Sequence, residues 1–363
     1  MRIGVVSAFR AGSLKAHAVN VVKMAEGFLN LGHEVMLITG DLDKGIRENN
    51  LDSIYGLDEK LLWKRQPFYV GQNLLFALLS WNHIKSFLPD LVYTRNFACP
   101  WLYTLKGVAV AGESHAHPEN NSFWFKQFIR TTWNDNFKVW ITINEVLMQG
   151  YKRLGAADKF IILADAVDTK LFKRPDTLQD SPYPHDKKIV TYCGHLYDYK
   201  GIPTILKAAV KLPEVEFHFV GGLPEDLHRQ RVRAIDLKLK NVVFNGIKPH
   251  TEVAPYLWHS DILLLPPSAN HPTAKWTSPV KAGEYLISGV PVIATSIPAL
   301  KRWFTNKEVE FIKPDNPDDM VSAIKKLLAD KQHRKSLIKA GNDWAENHTY
   351  TKRAHQIIEA SLQ

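Results

Sequence analysis

Thr277-Ser278-Pro279-Val280-Lys281-Ala282-Gly283-Glu284-Tyr285, continuing as Leu286-Ile287-Ser288-Gly289-Val290-Pro291-Val292-Ile293-Ala294-Thr295, decides how this chain is read. It is a turn, a short helix with one acidic residue, a glycine and then a buried strand. The first amides of a helix lack intrahelical partners and carry partial positive charge, so the helix start after Pro279 can hold a phosphate. Proline is well accommodated at a helix start, Lys281 adds a full charge in the first turn, and Glu284 follows about one turn later on the same side. Phosphate and ribose both find groups there. A lone glutamate more often caps or solvates a short helix; the neighbours set this one apart.

Outward from that unit, strands and helices alternate. The second half reads as strands at Ile189 to Cys193, Phe217 to Val220, Val242 to Asn245, Ile262 to Leu265, Val290 to Thr295 and Val309 to Ile312. Helices fall between them at Ile202 to Val210, Pro224 to Leu237, Thr251 to Trp258 and Asp315 to Leu328. The first half has the same rhythm, with strands at Ile3 to Phe9, Val35 to Thr39, Leu91 to Arg95, Val108 to Gly112, Val139 to Ile143 and Phe160 to Leu163. Between the first two, His17 to Leu31 places Val21, Met24, Ala25, Phe28 and Leu29 on one helical face. Such βαβ alternation implies mostly parallel sheets in two α/β halves. Pro175, Pro182 and Pro184 break the chain between the halves, and Lys352 to Ser361 closes it with a helix. Paired doubly wound domains are expected to present the carboxyl ends of their strands to a shared cleft.

Composition agrees with a soluble, two-domain globular protein: 363 residues, 45% hydrophobic and 23% charged. The longest apolar candidate for a membrane span, Val70 to Trp81, is interrupted by Gln72 and Asn73 and is too short. Met1 to Ser7 reads as a first strand and not as a signal peptide, so a cytoplasmic location is expected. Cys99 and Cys193, each in an apolar stretch, read as reduced core thiols. The net charge of +9 points to anionic partners, but no nucleic-acid-binding signature accompanies it. Trp124, Phe125, Phe128, Ile129 and Trp133 interleave with Lys126 and Arg130, and Leu61 to Tyr69 carries Trp63, Lys64, Arg65 and Phe68. Core packing explains such aromatics most simply; a peripheral contact with the inner face of a membrane is the functional alternative.

Three loops carry further candidate chemistry. Tyr192-Cys193-Gly194-His195-Leu196-Tyr197-Asp198-Tyr199-Lys200-Gly201 is a strand, a glycine turn and basic groups at a strand's carboxyl end. Phe9-Arg10-Ala11-Gly12-Ser13-Leu14-Lys15-Ala16-His17 joins the first strand to the first helix, with Gly12 permitting close backbone approach. Gly112-Glu113-Ser114-His115-Ala116-His117-Pro118-Glu119 sets two histidines and two carboxylates after a buried strand. Their spacing matches no recognised metal pattern, so metal ranks last among the readings of these histidines. Asp41-Leu42-Asp43 reads as a solvated turn.

The opening segment resembles the donor-site signature of retaining glycosyltransferases of family 4, in the branch reading S-P-x-K-x-x-E-Y. By that resemblance Glu284 matches the second of the family's two glutamates, which holds ribose hydroxyls, and Trp276 stands at the place of the first, which contacts the donor sugar. The turn after Tyr192 is similar to G-R-L-x-x-x-K-G, with His195 in place of the arginine and Lys200 kept; the family uses this pair to neutralise the donor diphosphate. The loop with Gly12 and Ser13 resembles the acceptor-side loop, and His115 corresponds to a histidine beside the transferred sugar. Asn245-Gly246-Ile247-Lys248 sits where the family's backbone contacts the nucleotide base. Leu91 to Asn96 resembles a V-Y-x-R strand, and Ala164 to Phe172 a G-V-D-x-x-x-F hinge with Ala166 replacing glycine.

The resemblance implies the GT-B fold, α/β with two Rossmann-like doubly wound domains: residues 1–168 on the acceptor side, a linker over 169–188, a donor domain over 189–345, and a helix over 346–363 crossing back to the first domain. It implies a glycosyltransferase moving a sugar from a UDP-, GDP- or ADP-linked donor to a glycan or lipid-linked acceptor with retained configuration. Expected catalytic residues are His115, Lys200 and Glu284. The donor is expected to meet Gly12, Ser13, Gly194, His195, Lys200, Ile247, Lys248, Ser278, Pro279, Val280, Lys281 and Glu284. Lys200, Lys281 and helix amides would stabilise the departing diphosphate, so no metal or other cofactor is expected. The rival readings are a nucleotide-sugar epimerase, a catalytically silent nucleotide-sugar-binding protein and a nucleic-acid-binding protein.

Overall fold

The structure is a computed structural model that describes residues 1–67, 71–178, 180–184, 187–277 and 280–363. The chain divides into two compact units, Met1–Ala166 with Thr349–Gln363, and Val167–His348.

In the first unit the described residues form strands β1 (Arg2–Ala11), β2 (Glu34–Leu42), β3 (Leu62–Arg65), β4 (Leu91–Thr94), β5 (Val110–Glu113), β6 (Phe137–Thr142) and β7 (Phe160–Ile162). They pair in parallel in the order β3-β2-β1-β4-β5-β6-β7. Ile3 sits opposite Val35 on one side and Leu91 on the other, so β1 is buried between neighbours and reads as a continuous apolar run. Between β1 and β4 the strand order reverses, which opens a crevice at their carboxyl ends. Helix Ala16–Leu29 buries Val21, Val22, Met24, Ala25 and Phe28, and terminal helix Tyr350–Leu362 adds Ala354, Ile357 and Ile358 to the same core.

The second unit repeats the plan with β8 (Lys188–Cys193), β9 (Val215–Val220), β10 (Val242–Gly246), β11 (Ile262–Leu265), β12 (Val292–Thr295) and β13 (Glu310–Ile312). The order is β10-β9-β8-β11-β12-β13, again all parallel, with the reversal between β8 and β11. Alternate side chains of a strand face opposite sides of its sheet. Accordingly Ile262 and Leu264 join one hydrophobic cluster and Leu263 the other. Residues after Val167 pack into this unit: Asp168 caps helix Thr169–Phe172, Phe172 is buried, and the Tyr183 hydroxyl donates to the Tyr256 carbonyl at 2.8 Å.

Several elements are not legible in the periodicity, among them β3 and the helices Asn73–Phe87, Ala98–Leu105, Phe123–Thr131, Glu145–Arg153 and Lys331–Glu346. In the aromatic segment Phe125, Phe128 and Ile129 are buried core residues, whereas Phe123 and Trp133 are exposed. Phe68, Tyr69 and Val70 lie outside the described residues. Among the described residues no helix is long and apolar enough to cross a membrane.

Candidate functional site

The reversal between β8 and β11 carries a pocket lined by Tyr192, Lys200, Leu265, Pro266, Pro267, Thr277, Lys281 and Leu300. Lys281 gets there because its helix, Val280–Ile287, is tied to the end of β8. The Tyr285 hydroxyl accepts from the Cys193 amide at 2.7 Å and donates to the Cys193 carbonyl at 3.1 Å. One turn earlier on the same face, the Lys281 ammonium reaches over the strand end and donates to the Tyr192 hydroxyl at 3.2 Å. It also lies 4.6 Å from the Tyr192 ring centroid, within cation–π range. The Lys281 ammonium occupies the space where a side chain on Gly194 would begin, and Gly194 has φ +131. Glycine is therefore required here both for the backbone and for the approach of the lysine.

Lys200 enters the same pocket from the turn before helix Ile202–Val210. Its ammonium lies 5.2 Å from the Tyr199 ring centroid. Among the described residues neither lysine has a salt-bridge partner. Desolvation, with the Lys281 charge second, lowers the Lys200 pKa to about 8. Desolvation lowers that of Lys281 as well, against the opposing influence of Cys193 and Glu284. Two partly desolvated cations in one pocket are an arrangement an anion relieves.

Glu284 is half-buried on the same helix, and its Oε1 pairs with His250 Nε2 at 3.1 Å. His250 was not visible as a partner in the sequence because it comes from the segment after β10, 34 residues away. Ile247, in that segment, is exposed, and the Lys248 ammonium lies 5.7 Å from the Tyr256 ring centroid. His195 is exposed and does not line the pocket; it heads a stack of rings, His195 on Tyr197, Tyr197 on Tyr199 and Tyr199 on His271, with centroids 5.1, 5.4 and 4.1 Å apart. Desolvation and then the Lys281 and Lys200 charges lower its pKa. His195 is thus neutral at physiological pH, and the cationic charge at the pocket belongs to the lysines. Trp276 follows the turn Pro272–Lys275 and is half-buried. Ser278 and Pro279 lie outside the described residues. Cys193 is half-buried at the strand end, and desolvation pushes its thiol up to about 12, so it stays protonated; Cys99 is buried, and both are free.

In the first unit the Gly12 amide is already used: it donates to the Tyr55 hydroxyl at 3.0 Å, and that hydroxyl donates to the Ser13 carbonyl at 3.0 Å. Tyr55 thereby fastens the loop after β1. His17 Nε2 lies 3.1 Å from the Ser7 hydroxyl, and its pKa is lowered by desolvation and then by the Arg95 charge. Glu113 ends β5 and is completely buried, so it is part of the strand and not of the loop the sequence suggested. It accepts from the Tyr93 hydroxyl at 2.6 Å and Arg353 Nη1 at 2.8 Å, pairs with His115 Nε2 at 2.8 Å, and lies 3.7 Å from Arg95 Nη1. Burial would raise its pKa, but the Arg353 and Arg95 charges and the His115 contact hold it well below the usual carboxylate range. Glu113, His115 and Asp165 have ligand atoms within 4.8 Å of one another, the grouping a cation could use. Arg353 and Arg95 already supply the compensating charge, which makes this an ion-pair network ill suited to a divalent ion.

Residues 173–344, most of the second unit, match the family described as "Glycosyl transferases group 1". Over 204 residues, 53% of this chain and 50% of that protein, the chain is 24% identical to a Bacillus subtilis protein described as a teichuronic acid biosynthesis glycosyltransferase, TuaH. The chain thus spans about half the length of the curated relative it matches. Two solved structures show the fold at low identity. Sucrose-phosphate synthase from Thermosynechococcus elongatus has a TM-score of 0.73 and 17% identity, covering 98% of this chain and 97% of that one. Anabaena HepE, in complex with UDP and glucose, has a TM-score of 0.72 and 14% identity, covering 99% and 98%. The chain has the GT-B fold, and the family match supports a group 1 glycosyltransferase.

Proposed function

We propose that this protein transfers a sugar from a nucleotide-diphosphate donor to a glycan or lipid-linked acceptor, with retention of anomeric configuration. The observation that carries the reading is the pair of ammonium groups without a salt-bridge partner among the described residues, Lys200 and Lys281, lining one pocket at the β8/β11 reversal of the unit that matches the family. A departing nucleoside diphosphate collects negative charge, and fixed cations in a partly dry pocket stabilise it without reorganising at the moment of reaction. Glu284, one turn from Lys281, takes the ribose hydroxyls, and the backbone at Ile247 and Lys248 meets the base. Val280 begins the helix whose amide dipoles add to the positive field.

In the step itself the bond from the anomeric carbon to the diphosphate oxygen breaks and a bond from that carbon to the acceptor oxygen forms on the same face. The acceptor proton passes to the departing diphosphate. The lysines supply the charge compensation, so no metal cofactor is required. An acceptor carried on a lipid would place the enzyme at the inner face of a membrane.

The test is incubation of the full chain with labelled UDP-, GDP- and ADP-sugars, following nucleoside diphosphate release and the anomeric configuration of the product. Slow hydrolysis or transfer from one donor, with the product anomer retained, is the expected result. An inverted product rejects retention, an epimer formed without acceptor indicates an epimerase, and binding without turnover indicates a silent binder.

A further inference from the structure

The last helix of the chain reaches the candidate sugar-contacting histidine through one buried carboxylate. Arg353, on helix Tyr350–Leu362, is 2% exposed; its Nε donates to the Ala164 carbonyl at 2.9 Å and its Nη1 to Glu113 Oε2 at 2.8 Å. Tyr93 donates to that same oxygen at 2.6 Å, while Oε1 faces His115 Nε2 at 2.8 Å. A carboxylate that is ionised accepts hydrogen bonds and donates none. With Arg353 and Tyr93 fixing its charge and its plane, Glu113 leaves His115 one arrangement compatible with the short contact: a hydrogen on Nε2. A neutral imidazole with its hydrogen on Nε2 has its lone pair on Nδ1. Among the described residues Nδ1 has no hydrogen-bond partner, and the His115 side chain remains 20% exposed.

We propose that Arg353 and Glu113 are positioning residues that lock His115 in its Nε2–H tautomer, so that Nδ1 serves as the hydrogen-bond acceptor for a hydroxyl of the sugar substrate. The part concerning the sugar rests on the function proposed above; the part concerning the tautomer does not. The arrangement gives the terminal helix a task beyond covering the core. It supplies the nearer of the two positive charges, Arg353 at 2.8 Å and Arg95 at 3.7 Å, that compensate the buried carboxylate behind His115.

The test is side-chain nitrogen NMR on the ligand-free full chain labelled with 15N-histidine, with the His115 signals assigned by their loss in His115→Gln. Wild type is expected to show the Nε2–H form alone once pH is raised past the point where the imidazolium signal disappears. Arg353→Gln is expected to give a mixture of tautomers at His115 while keeping the thermal shift that UDP produces through the second unit. If Arg353→Gln does not fold, the paired change Glu113→Gln with Arg353→Met removes both charges together. Its amide can donate as well as accept, so a mixture is again expected. A wild-type hydrogen on Nδ1, or a pure Nε2–H form in these variants, overturns the proposal. Absence of any UDP effect on wild type would count against UDP as the donor nucleotide and leave the tautomer result standing.

Discussion

Replacing Lys200 by methionine should make the ligand-free protein more stable and at the same time blind to nucleotide. The Lys200 pKa is lowered from 10.5 to about 8. That shift is worth at most about 3 kcal/mol of cost for holding the charge in the free pocket. The side chain is only half-buried, so solvent screening reduces the figure to about 1–2 kcal/mol. The sign follows from linkage: a lysine whose folded pKa lies below its unfolded pKa destabilises the fold fully below about pH 8, and the cost disappears as pH rises towards about 10.5. Methionine matches the length of the stem and carries no charge, so the ligand-free transition of the second unit should rise by about 2–6 °C at neutral pH. In wild type, UDP at about 100 times its dissociation constant should add about 2.7 kcal/mol; in the variant that increment should vanish. Differential scanning calorimetry with and without UDP, repeated at about pH 7 and about pH 10, reads both effects. The reasoning is refuted if Lys200→Met lowers the ligand-free transition, or if its advantage is unchanged at the higher pH.

Since binding a diphosphate requires the charged form of Lys200, nucleotide affinity measured by titration calorimetry should fall about tenfold from about pH 7 to about pH 9; Lys200→Arg, which stays charged, should flatten that profile. Gly194→Ala should abolish nucleotide binding, because its methyl group meets the Lys281 ammonium and its backbone sits at φ +131; unchanged affinity in fluorescence titration would contradict this. Arg353→Met removes the nearer of the two cations paired with the buried Glu113, leaving Arg95 at 3.7 Å, and should cost about 3 kcal/mol in urea denaturation. The depressed Glu113 pKa contributes stability above its unfolded value, so the wild-type advantage should be lost as pH falls through the folded pKa. A loss below about 1 kcal/mol at neutral pH would contradict the ion-pair assignment.

The parts of the fold that sequence revealed are those with a strong period. β1, β8 and β12 are apolar runs bounded by turns, and helix Ala16–Leu29 buries every residue from Ala18 to Phe28. β3 was invisible because its four residues, Leu62–Arg65, show no apolar alternation: the strand lies at the sheet edge, and Trp63 alone packs against the core, stacked on Tyr55 and bonded to Asp52. Helix Lys331–Glu346 is mostly polar and buries only Leu337, Gly341 and Ala345, too thin a stripe to recognise.

The site divides the same way. Lys281, Glu284 and Tyr285 share one short helix, so their spacing was legible, and Lys200 is fixed by its glycine turn. The tie from Tyr285 to Cys193, the pairing of His250 with Glu284 and the bond from Arg353 to Glu113 join residues 92, 34 and 240 positions apart. No local pattern reports such contacts. His195 was legible as a residue near phosphate, but its stacking on Tyr197 and its lowered pKa depend on neighbours that only the folded chain assembles.

The central claim is that Lys200 and Lys281 form a nucleoside diphosphate site within the second unit. Isothermal titration of the full chain with UDP, GDP and ADP, on wild type and on the double variant Lys200→Met with Lys281→Met, tests it most directly. One-to-one binding of at least one nucleotide to wild type is expected, and none to the folded double variant. Binding that survives the loss of both ammonium groups, or wild type that takes up none of the three, would contradict it.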